Sequence, residues 1–410
     1  MKKIYQISAY FMLILLSLAI FAMPAYADVD QWEINTPAGF GGTINTVEVF
    51  GDYIFLGTDE GLYKSSNSGE DWTNYLNTEN ITSIVIGWET DNTFGSPTFG
   101  QKITSANSPI FIGTSVNGVY EGTRNSASWT ETNTGLGDLS INDLSIGRYY
   151  ETVLFPMPST TFKYDIFAGT DSGTYKLTYS SFPMPASWSL IDNTGSTKLD
   201  SNVIAMPSPG YNIFATRTDN SFYQYQYIQA QAGNPMFGIP ATPAVENEYT
   251  NSGLGTLINV NTDQASNAKY LYITTDSDVL RQSCPAGGCN ASNWDSYNTG
   301  LEGETVNSTA SDYTSQVTEI LYAATENGVY KNYDTTPTPV STEWTQINKN
   351  LTDTVITEVK TDPLSSTNIY AISNDNLFKL ELSNENIFPI IEADTTAPAT
   401  TTTLHCYNST

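Results

Sequence analysis

Histidine is all but missing from this chain, the single copy being His405 in the C-terminal tail. That scarcity excludes a Ser-His-Asp nucleophile system and a histidine-based metal centre. Arginine is nearly as rare, at Arg124, Arg148, Arg217 and Arg281. Basic residues number 16 against 43 acidic ones, a net charge of −27, and such a surface repels nucleic acid and anionic lipid. No glycine loop stands ahead of a helix to cradle phosphate. No helical periodicity runs through the sequence, and no cofactor is expected.

What is present begins with an export signal. Lys2 and Lys3 precede an apolar stretch over 11–23 that ends in Ala25-Tyr26-Ala27, so cleavage is expected after Ala27, with an uncleaved anchor as the alternative. The stretch is short for a membrane span and nothing later approaches the necessary length, so no span is expected after cleavage. The expected location is secreted or periplasmic, in the cell envelope. There Cys284 and Cys289, in the word CPAGGC, are expected to form a disulfide across a tight Pro-Gly loop. The competing reading, a metal site, lacks further ligands. Cys406 is odd, either free or paired with another chain. The expected organisation is a signal peptide over 1–27, one domain over 28–390 and a Thr-rich tail or linker over 391–410.

One phrase recurs along the expected domain: an alternating strand, an aromatic-aliphatic strand ending in Thr, an acidic or Gly-containing tip, a Tyr-bearing strand and a Trp strand. The second strand reads YIFLGT at 53–58, IFIGT at 110–114, IFAGT at 166–170, IFAT at 213–216, LYITT at 271–275, LYAAT at 321–325 and IYAIS at 369–373, seven copies in all. The third strand carries Tyr63, Tyr120, Tyr175, Tyr223, Tyr330 and Phe378, with Leu280 in the fifth copy. Trp72, Trp129, Trp188, Trp294 and Trp344 mark the fourth strand; the fourth copy has no Trp there, and the seventh runs into the tail. The missing last strand stands at the other end of the chain, where DQWEIN at 30–35 reads like SWTETN at 128–133. Such a permuted strand closes a ring and leaves no unpaired edge. The expected fold is therefore an all-β, seven-bladed β-propeller of four-stranded antiparallel blades, closed by the N-terminal strand in the last blade. A monomer is expected.

Within the first copy, SSNSGEDW at 65–72 resembles the Asp-box hairpin, with Ser65, Asn67, Gly69 and Trp72 at its marked positions and Asn67 in place of Asp. The chain thus resembles the Asp-box (BNR-type) propellers, which include sialidases, xyloglucanase-type glycosidases, sortilin-type receptors and seven-bladed photosystem II assembly factors. The box is clear in one blade, and its job is structural: the short side chain holds the turn, Gly allows the bend and Trp packs between blades. The resemblance therefore implies a propeller and not an activity. The sialidase-like arginine cluster is absent, and the xyloglucanase-type cleft lies between two propellers, whereas this chain has length for one.

Two surfaces are candidates for function. The tips between second and third strands carry Asp59, Glu60, Asp171, Asp219, Asp276, Asp278, Glu326 and Asp375, with Asn117 in the remaining copy, residues that also favour tight turns for local reasons. Long insertions instead fall between first and second and between third and fourth strands, connections that emerge on the opposite face. There FPMP recurs at 155–158 and 182–185, and PMFGIP stands at 235–240. Phe155, Met157, Phe182, Met184, Met236 and Phe237 in these Pro-framed loops are the candidate partner-binding residues, unless the loops merely cover a blade end. The expected function is a non-enzymatic scaffold for a protein or glycan partner. The alternative is a secreted glycoside hydrolase or lyase that uses paired carboxylates.

Overall fold

The computed structural model describes residues 30–382 except 88, 91–101, 104–107, 154–158, 180–186, 205–209, 229–244, 252, 263–269, 284–293, 313–317 and 336–342. These residues form seven four-stranded antiparallel sheets and one small two-stranded ribbon. The chain is a seven-bladed β-propeller. Blades one to six take their strands in chain order: Ile44–Phe50, Tyr53–Thr58, Gly61–Ser65 and Thr73–Tyr75 build the first, and Ser196–Ile204, Gly210–Arg217, Phe222–Ile228 and Val245–Asn251 the fourth. Blade seven joins Glu358–Asp362, Ser365–Ile372 and Leu377–Glu381 to the N-terminal Trp32–Ile34, which pairs in the register Trp32↔Leu380 and Ile34↔Phe378.

A twisted four-stranded blade cannot bury both faces alone, so the core is divided among the seams between blades. Each second strand sends its aromatic into the seam with the next blade: Phe55, Phe111, Phe167, Phe214, Tyr272, Tyr322 and Tyr370 are all buried. Phe55 packs on Ile81 and Ile84 of blade two, and Tyr370 of blade seven on Val47 and Val49 of blade one. Gly57 and Gly113 sit where a Cβ would come within 2.7 Å of Ile81 and Ile141 respectively, which is why small residues occur there. The Thr that ends the second strand is buried and folds its hydroxyl back onto the turn: Thr58 Oγ1 donates to Gly61 O at 2.8 Å, and Thr170 to Gly173 O at 2.9 Å.

Blade four departs by one residue from the repeat read in the sequence. Thr216, expected to end the second strand, pairs with Lys198 as Gly57 pairs with Thr46, and Arg217 takes the terminal place. Arg217 meets Asp192 of blade three at 2.6 Å and stacks on Tyr223. A planar cation with a carboxylate partner thus replaces the hydroxyl-to-turn bond.

The blades differ in reach. The first strand of blade three, Ile141–Val153, is 13 residues long, against six or seven in blades one, two, five and six. It stays paired with Ser159–Thr170 as far as Val153↔Ser159. At strand rise, the added residues carry this hairpin about 20 Å beyond its counterparts. The outer strand of blade four has seven residues, where the others have two to five.

Candidate functional site: the axial channel and the elaborated face

The innermost strand of a propeller has one free edge, and its backbone N–H groups must find acceptors. Side chains meet several of them. In blades one to six a β-bulge opens the first strand at the same place, and in blades two, three and six the residue after it accepts from the first strand of the next blade. Glu358 accepts from Val47 N at 3.0 Å, Ser83 from Leu144 N at 3.0 Å, Asp143 from Leu199 N at 2.9 Å and Ser308 from Val359 N at 3.0 Å. The bulge residues add a second belt: Asn45, Thr82, Asn142 and Asn307 donate to Ile81 O, Ile141 O, Ser196 O and Ile356 O of the next blade.

This ring was not recognised in the sequence, although its signal is there: an apolar or small residue followed by two mostly polar ones in INT at 44–46, ITS at 81–83, IND at 141–143, STK at 196–198, LIN at 257–259, VNS at 306–308 and ITE at 356–358. Together these strands line an axial cavity of about 180 Å³. Glu48, Asp143, Asp200 and Glu358 face Lys198 and Lys360 within it. Lys360 Nζ stands 3.4 Å from Glu358 and 3.5 Å from Glu48. Burial alone would push the Lys360 ammonium down, but Glu358 and Glu48, with Asp143 and Asp200 farther off, hold it above the ordinary lysine range. Burial pushes Glu48 up, and Lys360 offsets only part of that. Asp200 accepts from both the N–H and the hydroxyl of Thr262, at 2.6 and 2.9 Å.

Ser65, Asn67, Gly69 and Trp72, which resemble an Asp-box in sequence, lie together in the hairpin that follows Gly61–Ser65. Asn67 Oδ1 accepts from Asp71 N at 2.9 Å, Ser65 Oγ from Gly69 N at 2.9 Å, and Trp72 Nε1 donates to Gly69 O at 2.9 Å. Gly69 has φ +94°, a conformation that favours glycine. Four of the acidic tip residues are engaged locally. Asp59 accepts from Thr43 N at 2.6 Å, Asp171 from Asn142 at 2.8 Å and Asp278 from Ser296 at 2.9 Å. The hydroxyl and N–H of Ser221 hold Asp219 below the usual carboxylate range.

Phe155, Met157, Phe182, Met184, Met236 and Phe237 lie outside the described residues, as do Cys284 and Cys289. The strands that flank the three Pro-framed segments are first with second in blade three, third with fourth in blade three, and third with fourth in blade four. In an up-and-down blade all of these connections leave on one face.

No protein-family model matches the sequence, and no curated protein matches it. Solved structures similar to the chain include two of the extracellular domain of BT4673 from B. thetaiotaomicron, each 14% identical, with TM-scores of 0.47 and 0.46. The similarity covers 85% of this chain and 39% of each of those. Another is BBS1N in complex with ARL6DN, 12% identical with a TM-score of 0.44, over 86% of this chain and 96% of that one. The propeller assignment rests on the strand order itself.

Proposed function

We propose that the protein is an exported, non-enzymatic propeller whose elaborated face, centred on blades three and four, binds a protein or glycan partner. The observation that carries this reading is the reach of those two blades: the hairpin Ile141–Val153/Ser159–Thr170 and the long outer strand Val245–Asn251 build a raised rim on that face alone. In the sequence the Pro-framed Phe and Met segments connect strands of these two blades, and such apolar groups are unfavourable in water unless covered. Replacing Phe182 and Phe237 with Ser is expected to abolish capture of a partner from the native envelope fraction while leaving the melting temperature nearly unchanged. A loss of stability without loss of capture would show that these loops cover the blade instead. Changing Asp171, Asp219 and Asp276 to Asn on the opposite face is the control and should leave capture intact.

Export rests on the N-terminal signal, and in an oxidising compartment Cys284 and Cys289 pair. Mass spectrometry of unreduced protein should find both in one bridged peptide and an N-terminus at Asp28.

One observation favours a second reading, a glycoside hydrolase or lyase: four carboxylates converge in the axial cavity. Against it, Glu358, Asp143 and Asp200 already accept bonds from strand N–H groups. The cavity is also smaller than the ~300–1,000 Å³ of ordinary ligand pockets. Release of reducing ends from a polysaccharide panel would support the hydrolase reading over the scaffold.

A further inference from the structure

The seam between blades four and five places a donor where four other seams place an acceptor. At the place where Ser83, Asp143, Ser308 and Glu358 offer an oxygen to the next strand's N–H, blade four presents Lys198, which can only donate. The N–H in question is that of Val260, which holds the same register as Leu144, Leu199, Val359 and Val47: Val260↔Ile273 follows the bulge just as Leu144↔Ala168 does. Lys198 itself has no hydrogen bond or ion pair among the described residues, although it lines the cavity.

The next residue adds a third donor. Asn261 lies two past the bulge-following position, the strand position that in blades one, four and seven turns Glu48, Asp200 and Lys360 to the cavity. It is 8% exposed, and its buried Nδ2 has no hydrogen-bond partner. An unpaired buried donor is unfavourable by about 1–3 kcal/mol, so its persistence at a cavity wall points to an acceptor supplied from outside the chain. Three donors, Lys198 Nζ, Val260 N–H and Asn261 Nδ2, therefore border one stretch of the channel, and the group that suits them is a carboxylate or a similar small anion.

A simple anion is nevertheless a poor occupant, because the four carboxylates of the cavity outnumber its two lysines. The ring geometry supplies the counterpart. With seven blades, blade one stands opposite the seam between blades four and five. Its Glu48 is the cavity carboxylate with no hydrogen-bond donor among the described residues except the Lys360 ammonium 3.5 Å away. A ligand with an ammonium toward Glu48 and a carboxylate toward the donor set adds no net charge to an already acidic cavity. About 180 Å³ accommodates a molecule the size of a small amino acid.

We propose that the axial channel is a binding site for a small zwitterion of amino-acid type, its carboxylate held by Lys198, the Val260 N–H and Asn261, and its ammonium by Glu48. The site is separate from the elaborated face and would let a small solute occupy the hub of the ring.

The test is calorimetry and thermal melting of the purified full chain with four probes: L-alanine, γ-aminobutyrate, sodium acetate and methylammonium chloride. At least one of the two zwitterions should bind saturably at one site per chain and raise the melting temperature in step with its concentration. Acetate and methylammonium, each carrying half of the charge pattern, should fail at the same concentrations. Lys198→Met and Glu48→Gln should each weaken zwitterion binding on the order of tenfold or more, the usual worth of a hydrogen bond to a charged group. Because Lys198 has no hydrogen-bond or ion-pair partner among the described residues, Lys198→Met should melt like the parent chain without ligand, which separates loss of binding from loss of structure. The proposal is overturned if neither zwitterion binds saturably, if acetate binds as tightly as the better zwitterion, or if Lys198→Met retains the parent affinity.

Discussion

The indole Nε1 of Trp32 donates to the carbonyl of Ile347 at 2.6 Å, tying the first described strand, Trp32–Ile34, to the residue that follows the outer strand of blade six. Two of the other outer-strand Trp residues make the same bond: Trp188 Nε1 to Thr132 O at 2.5 Å and Trp344 Nε1 to Tyr297 O at 2.8 Å. A side chain two rings wide, with one polar tip, fills the outer seam and satisfies a carbonyl of the preceding blade. At Trp32 the bond also joins residues from the two ends of the chain.

Removing that joint should therefore loosen the whole ring. Trp32→Ala deletes a side chain only 2% exposed and should lower stability by about 3–5 kcal/mol, the range for large buried aromatics. Deleting 28–36 should do at least as much, because it also strips the outer strand from Leu377–Glu381. Urea unfolding followed by tryptophan fluorescence reads both. A parent-like midpoint for either variant would remove the ring-closing role of this strand.

A second prediction concerns the seam between blades three and four. Asp165 and Lys176 are paired at 3.4 Å with side chains 3% and 12% exposed, and Tyr211 Oη donates to the same Asp165 oxygen at 2.5 Å. Lys176→Met leaves that carboxylate buried without its cation and should be unfavourable by about 3–5 kcal/mol. Replacing both, as Asp165→Leu with Lys176→Met, removes the charge along with its partner. It should therefore restore much of the loss, and a double-mutant cycle by chemical denaturation measures the difference. Additive losses would show that the two side chains act independently.

Such seams explain what could be read from the sequence. The seven aromatics from Phe55 to Tyr370 recur because each must fill a wedge between blades, and the Thr that follows recurs because its hydroxyl closes a turn; both demands are local, the first repeating in every copy and the second in blades one, two, three, five and six. Blade four misled by one residue because Thr216 resembles the strand-ending Thr of its neighbours, while the register is fixed by the bulge between Ser196 and Lys198. The channel ring went unnoticed for a related reason: a bulge interrupts the period of two, so a search for alternation passes over the residues that follow it. Lys198 and Asn261 acquire meaning only once the ring sets blade one opposite them.

A third prediction follows from the Asn residues in the turn after the fourth strand. Asn348 Oδ1 accepts from Val329 N at 2.8 Å while its Nδ2 donates to Asn327 O at 2.7 Å, and Asn133 does the same for Val119 N and Asn117 O in blade two. Asn348→Ala removes both bonds at once and should lower stability by about 1–3 kcal/mol. Asn348→Asp keeps the acceptor but loses the donor, so a midpoint between alanine variant and parent is expected in urea. Equal midpoints for all three proteins would show that the turn is held by its backbone alone.

The last prediction is a pH dependence with a definite sign. Lys331, 7% exposed on the third strand of blade six, is pushed down to about 8, chiefly by burial, with Asp30 opposing the shift. A lysine lowered in the folded state binds fewer protons there than in the unfolded chain between about pH 8 and its ordinary value of 10.5. Stability must therefore rise with pH across that window, and the gain is lost as pH falls back through 8. The full change is at most about 3 kcal/mol. Tyrosines work in the opposite direction at higher pH. Burial, followed by the neighbouring Glu79 and Glu131, raises Tyr120 to about 12, so above pH 10 the unfolded chain releases protons that the folded one keeps, and stability falls. The decisive range is therefore about pH 7.5 to 9.5, where urea midpoints of the parent should climb. Lys331→Met should begin at a higher midpoint and show a flatter slope, because the group that titrates is gone. A parent slope of zero, or a Lys331→Met variant with the parent's slope, would show that Lys331 stays charged in the folded ring throughout.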